Sequence, residues 1–198
     1  LLLGTAVAVA IAFLLTFFFG PRETPDTEPA AAAVPAQETA SPTPAATPGT
    51  KVLAPVAGTA VALADIPDKV FASGAMGAGL GIIPEEDTVH SPVSGTVQAA
   101  MKTGHAYGIK TDDGIEVLVH IGIDTVQMKG EGFTPAVVRG QRVEAGDLLA
   151  TIDRAKIKEA GFSDMTIMVV TNTKNLTAVV PVAQGHLDRG VPALDIEL

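Results

Sequence analysis

The 198-residue sequence has no cysteine and no tryptophan, a single tyrosine, and only 13 lysines and arginines against 22 aspartates and glutamates. Each shortage excludes something. Without cysteine there is no disulfide framework, no thiolate zinc site and no cysteine nucleophile within these residues. A net charge of −9 argues against nucleic acid as a partner, because phosphate backbones are held by clustered lysine and arginine. Charged residues make up only 18% of the chain, and much of the apolar excess lies at its start, so whole-chain averages mislead. The sequence opens on Leu1 rather than methionine, and it is expected to be the C-terminal part of a longer protein.

Three segments differ in character. Residues 1–19 carry no charge, and only Gly4, Thr5 and Thr16 interrupt the apolar run. As a helix this run would reach roughly 28 Å, close to the hydrocarbon thickness of a bilayer. It lacks the basic start of a signal peptide and is apolar on every face, unlike a surface helix. A transmembrane helix is expected, with Arg22 just beyond it favouring a cytoplasmic C-terminal side. Residues 20–50 hold seven prolines, many alanines and the acids Glu23, Asp26, Glu28 and Glu38. Proline removes backbone donors and there is too little apolar bulk for a core, so this stretch reads as a flexible tether. Residues 51–198 are the expected folded domain.

Within that domain, short runs rich in Val, Ile and Thr recur between glycines and prolines: 59–63, 95–99, 116–121 and 166–171. Such runs predict an all-β antiparallel sandwich or barrel. The one helical candidate is 154–160, with Gly161 following as a C-terminal stop. The domain also repeats itself. Ala54-Pro-Val-Ala-Gly-Thr59 returns as Ser91-Pro-Val-Ser-Gly-Thr96, and Val143-Glu-Ala-Gly-Asp-Leu148 returns more faintly as Leu187-Asp-Arg-Gly-Val-Pro192. Two related β units would bury a shared core and leave few exposed edges.

Of the four histidines, His90 and His186 read as structural or surface residues, whereas His105 and His120 have chemical promise. In Glu116-Val-Leu-Val-His-Ile-Gly-Ile-Asp124, a period of two puts Glu116, Leu118 and His120 on one face and Val117, Val119 and Ile121 on the other. His105 sits in Thr103-Gly-His-Ala-Tyr-Gly108, a strand connection. Fifteen residues separate the two, and a turn at Thr111-Asp-Asp-Gly114 would bring the chain back beside itself. Paired imidazoles suit zinc binding or phosphoryl transfer to a ring nitrogen; as structural residues they would do neither.

Five stretches, in order, resemble one family: Asp65-Ile-Pro-Asp-Lys-Val-Phe71, Ser73-Gly-Ala-Met-Gly-Ala-Gly79, Thr103-Gly-His-Ala106, Val119-His-Ile-Gly-Ile-Asp-Thr-Val126 and Lys129-Gly-Glu-Gly-Phe133. They are similar to the glucose-type enzyme IIA domains of bacterial sugar phosphotransferase permeases, over nearly all of 51–198. The resemblance implies an antiparallel β sandwich or barrel and a phosphotransferase role. His120 would take a phosphoryl group from the phosphocarrier HPr and pass it to a cysteine of an enzyme IIB domain, in the same or a separate chain, for sugar entering through enzyme IIC. His105 would hold the phosphoryl oxygens, Thr103 would orient His105, and Asp124 matches the aspartate near the phosphohistidine. Val70, Phe71 and Leu118 are candidates for an apolar docking face around a recessed histidine. No Walker-type loop is present, in keeping with a phosphoprotein donor, and neither a cofactor nor a metal is implied. Residues 1–19 would then be the last helix of enzyme IIC, in a B–C–A order resembling β-glucoside, sucrose and trehalose permeases. The domain would lie at the cytoplasmic side of the bacterial inner membrane, and two copies could pair through the membrane part. Gly104 and Met101 depart from the family, where a bulkier residue and an aromatic are common.

Two rival readings carry different chemistry. Gly140-Gln-Arg-Val-Glu-Ala-Gly-Asp147 and Tyr107-Gly-Ile109 also resemble membrane-anchored zinc peptidases of related β architecture. Their zinc needs a His-x-His pair, and position 122 is glycine. A regulatory binding module that kept the fold but carries no phosphate is the other alternative; the presence of both histidines speaks against it.

Overall fold

The Val- and Ile-rich runs between glycine and proline turns become fourteen antiparallel strands in the computed structural model, which describes residues 49–198. The expected transmembrane helix, 1–19, and the expected tether up to residue 48 lie outside the described residues. Among those described, no helix is long and apolar enough to cross a membrane. The first strand, β1, starts at Thr50.

In chain order the strands are β1 (Thr50–Leu53), β2 (Gly58–Ala62), β3 (Ala78–Pro84), β4 (Thr88–His90), β5 (Gly95–Ala100), β6 (Ala106–Lys110), β7 (Glu116–Ile123), β8 (Phe133–Pro135), β9 (Arg142–Val143), β10 (Leu148–Ile152), β11 (Ser163–Val170), β12 (Ala178–Pro181), β13 (His186–Leu187) and β14 (Pro192–Glu197). They form an eight-stranded sheet, β13-β2-β3-β11-β7-β6-β5-β9, and two three-stranded sheets, β1-β14-β12 and β4-β10-β8. None of the three closes on itself, so the barrel form of the expected architecture is not adopted. The all-β antiparallel class is.

The helix expected at 154–160 is α2 (Arg154–Glu159), capped by the Asp153 side chain on Lys156 N–H. A second helical turn, α1 (Lys69–Ala72), was not expected from the sequence. At four residues it is too short for the apolar periodicity by which helices are recognised.

The repeated motifs are related in space by paired hydrogen bonds. Leu53 N–H donates to Pro92 C=O (2.9 Å), and His90 N–H donates to Pro55 C=O (2.8 Å). These are equivalent bonds, since 53 and 55 correspond to 90 and 92. The fainter repeat behaves the same way: Ala54 N–H bonds Val191 C=O, and Ser91 N–H bonds Asp147 C=O, both 2.7–2.8 Å. Strand pairing repeats as well, with Gly58 opposite Leu187 and Gly95 opposite Val143.

The large sheet is covered on both sides. One face turns Val117, Val119, Ile121, Leu80, Ile82, Met168 and Val170 into the main core. The other carries Leu118, His120, Ile167 and Val169, and the 63–76 segment crosses it with Ile66, Phe71 and Met76 all buried. Ile66 lies over Gly81.

Candidate functional site

His120 sits on β7, in the middle of the large sheet, opposite Ala106 on β6 and Ile167 on β11. The hairpin closes through the turn expected at 111–114, with Thr111 N–H on Ile115 C=O at 2.9 Å. That register places His105, just before β6, beside His120: Ile121 N–H donates to His105 C=O at 2.7 Å. The two rings meet edge to face, centroids 5.2 Å apart and planes at 79°.

Each ring is held at Nδ1. His120 Nδ1 lies 2.8 Å from Gly122 C=O. A carbonyl can only accept, so Nδ1 carries the hydrogen of the neutral ring and Nε2 keeps its lone pair. Gly122 makes this reach possible: its φ is +79°, and a Cβ there would stand 2.2 Å from Thr125 Cγ2 and 2.8 Å from Ser163 O. Thr125 braces the same turn, its hydroxyl donating to Ile121 C=O at 2.6 Å. His105 Nδ1 lies 2.6 Å from Thr103 Oγ1, and its Nε2 is buried with no partner.

Both imidazoles are pushed toward the neutral form. Burial lowers the His105 pKa to about 3, with a further contribution from the neighbouring His120. Burial also lowers that of His120, opposed by the hydrogen bond to Gly122 and by the charge of Asp68. His120 is partly exposed, whereas His105 is 1% exposed. A neutral, surface-reachable Nε2 thus stands next to a buried ring nitrogen without a hydrogen-bond partner. Such an arrangement can carry a tetrahedral anion on one nitrogen and donate to it from the other.

The remaining sequence candidates are placed less uniformly. Asp124 follows in a left-handed conformation (φ 61°), and no hydrogen bond or ion pair joins its side chain to either imidazole. Phe71 packs on His120, ring centroids 5.3 Å apart, and is 3% exposed. Leu118 is 0% exposed. It lies on β7, an interior strand with both faces covered, and of the three docking candidates Val70 is the half-buried one. Gly104, at φ +72°, leaves no room for the bulkier residue, since a Cβ would press on Phe133 and Pro135 at 3.0–3.1 Å. His90 bonds Gly146 C=O and His186 is exposed beside Glu85, both away from this site.

Two residues were missed. Asp68 acts on His120 electrostatically, and its signal, an aspartate just before Lys-Val-Phe, is an N-cap pattern. Thr125 had no comparable signal.

The chain matches the family model described as phosphoenolpyruvate-dependent sugar phosphotransferase system, EIIA 1, over residues 50–176. It is similar to the β-glucoside-specific EIIBCA component of Dickeya chrysanthemi, 42% identical over 193 residues, covering 96% of this chain and 30% of that protein. It is also similar to the glucose-specific EIIA component of Halalkalibacterium halodurans, 46% identical over 125 residues, covering 63% of this chain and 72% of that protein. Among solved structures, glucose permease IIA from Mycoplasma capricolum superposes with a TM-score of 0.68 at 37% identity, covering 74% of this chain and 94% of that one. The chain thus spans less than a third of the β-glucoside relative.

Proposed function

This chain belongs to the EIIA 1 family of the phosphoenolpyruvate-dependent sugar phosphotransferase system, and from that premise we propose that His120 is its phosphoryl carrier, served by His105 and Thr103. The observation that supports this most is the arrangement of the two rings: His120 Nδ1 engaged by Gly122 C=O at 2.8 Å, and the unpartnered His105 Nε2 on the ring beside it.

The transfer balances without any further reagent. The His120 Nε2 lone pair attacks the phosphorus carried by HPr. As the new N–P bond forms, the donor's N–P bond breaks and its electron pair returns to the donor imidazole. Thr103 donates its hydroxyl hydrogen to His105 Nδ1, which leaves the hydrogen on His105 Nε2, directed at a phosphoryl oxygen. In the second transfer a cysteine thiolate of enzyme IIB attacks the same phosphorus, and the His120 N–P bond breaks. The neutral state of both rings keeps His120 nucleophilic and leaves no proton on Nε2 to be displaced. Asp124, close in sequence, belongs to the rim that meets the partners, together with Val70.

The same proposal extends to the whole permease. The apolar run 1–19 and the proline-rich 20–50 would tether the domain at the cytoplasmic face of a bacterial inner membrane, beside the IIC and IIB domains, with any dimer formed through the membrane part. The zinc-peptidase reading fares worse on an observation of this site: position 122 holds a glycine at φ +79° where that chemistry needs a second histidine.

Incubation of the 198-residue chain with phosphoenolpyruvate, enzyme I and HPr tests it. One acid-labile phosphate is expected, absent in His120→Ala and present but slowly passed on in His105→Gln. A folded chain that stays unphosphorylated would overturn the carrier role.

A further inference from the structure

Glycine takes positive and negative φ with about equal ease, so the conformation of Gly122 needs a restraint from outside the residue. Thr125 supplies one from each of its two branches. Its hydroxyl donates to Ile121 C=O at 2.6 Å, which fixes the peptide plane on the N-terminal side of Gly122. Its methyl carbon fills the space beside Gly122, 2.2 Å from where a Cβ of that residue would stand. One rotamer sets both contacts, because a β-branched side chain is stiff at χ1. Ile121 is gripped at its other end too, its N–H donating to His105 C=O at 2.7 Å. Thr125 is 0% exposed, so its substitution leaves the outer surface unchanged.

The backbone around Thr125 is bent to make this reach. Thr125 opens a 3-10 turn, Thr125–Met128, flanked by Asp124 (φ 61°) and Lys129 (φ 55°). Among the described residues these two are the only non-glycines with positive φ. Such conformations cost energy in residues with a Cβ, persist only where the surroundings impose them, and gather at functional sites. The turn is closed by Gln127 N–H on Asp124 C=O at 3.0 Å and Lys129 N–H on Val126 C=O at 3.2 Å. Its effect is to bring the Thr125 side chain back onto the two residues that follow His120.

The consequence falls on the His120 tautomer. Its Nδ1 hydrogen is directed at Gly122 C=O at 2.8 Å, so the lone pair stays on Nε2 only while that carbonyl faces the ring. Were the Gly122 peptide free to rotate, the neutral ring could carry its hydrogen on Nε2, where it blocks attack on phosphorus. Resting on the reading of His120 as the carrier, we propose that Thr125 is a positioning residue for phosphoryl transfer: it holds the Gly122 peptide so that its carbonyl keeps the His120 hydrogen on Nδ1 and the lone pair on Nε2.

Three substitutions in the full 198-residue chain test this. Thr125→Val keeps the branched shape and loses the hydroxyl, and Thr125→Ser keeps the hydroxyl. Thr125→Ala loses the hydroxyl without placing a second methyl beside Ile121 C=O. In unphosphorylated ¹⁵N-labelled protein, NMR of the His120 ring nitrogens reads the tautomer. Single-turnover rates over a range of phospho-HPr concentrations then separate the maximal rate from the half-saturating concentration. Thr125→Val is expected to show a mixture of tautomers and a maximal rate lower by about three- to tenfold, the size of one neutral hydrogen bond. Its half-saturating concentration should match wild type. Thr125→Ser is expected to keep the wild-type tautomer and rate. Should the valine chain fail to fold, Thr125→Ala takes its place with the same result expected. A wild-type tautomer signal without the hydroxyl, equal damage from serine and valine, or a raised half-saturating concentration at an intact maximal rate overturns the proposal. Because the tautomer is read without phosphate, wild-type chain that refuses phosphate counts against the carrier reading alone.

Discussion

The Nδ1 atom of His120 lies 2.8 Å from the carbonyl oxygen of Gly122, two residues further along the same strand. This contact fixes which ring nitrogen is free, and it depends on a backbone conformation that only glycine adopts without strain.

Gly122→Ala is therefore expected to be among the costlier substitutions in the domain. The added methyl would overlap Thr125 Cγ2 at 2.2 Å and Ser163 O at 2.8 Å at a φ of +79°. Thermal unfolding should show a loss of about 2–4 kcal/mol, together with slower phosphorylation. Gly114→Ala is the control: it shares a positive φ, but nothing lies within 4 Å of its Cβ, so about 1 kcal/mol is expected.

The depressed pKa of His105 makes stability depend on pH. Its ordinary value is 6.5 and its folded value about 3, so between these limits the unfolded chain binds the proton and the folded one does not. Stability is then fully present above about pH 6.5 and is lost progressively as pH falls toward 3. Denaturant unfolding in wild type should weaken over this window, and His105→Gln should flatten the slope. An identical slope in both chains would show that His105 does not titrate as its burial implies.

Thr103 is expected to matter through its oxygen rather than its shape. Thr103→Val keeps the volume but leaves the buried His105 Nδ1 without the partner at 2.6 Å, a loss of about 1–3 kcal/mol. Thr103→Ser should restore stability and transfer rate. Equal damage from serine and valine would argue that the methyl group, not the hydroxyl, is what the site uses.

Two ion pairs of similar length should differ in effect. Asp164 is 6% exposed and accepts from Arg154 at 2.8 Å and Lys158 at 3.1 Å. Burial pushes its carboxyl up, but the two cations outweigh this and hold it below the ordinary 3.8. Asp164→Asn should destabilise by about 1–3 kcal/mol, since α2 loses its tie to β11. Asp112 pairs with Arg142 at 2.7 Å in the open, and Asp112→Asn should leave the unfolding midpoint within error of wild type.

The strands and the histidine pair were legible in the sequence because both depend on local rules. Alternation placed Val117, Val119 and Ile121 on one face, and the Thr111–Gly114 turn set the register that joins His105 to His120. The stronger repeat was clear from Pro, Gly and Thr at matching positions. The weaker one shares little beyond a glycine, and only the bonds of Ala54 to Val191 and Ser91 to Asp147 make its equivalence plain. The burial of Leu118 was not legible, because alternation says which face a side chain takes but not whether another segment covers it. The same segment hid the nearness of Asp68 to the site, because Asp68 caps a four-residue helix too short to leave a periodic trace.

The most direct test is to ask which nitrogen bears the phosphate. With ¹⁵N-labelled chain phosphorylated through enzyme I and HPr, coupling between nitrogen and phosphorus identifies the bonded atom. Phosphorus on Nε2 of His120, with Nδ1 still protonated toward Gly122, is the expected result. Phosphorus on Nδ1 of His120, or on His105, would contradict the account.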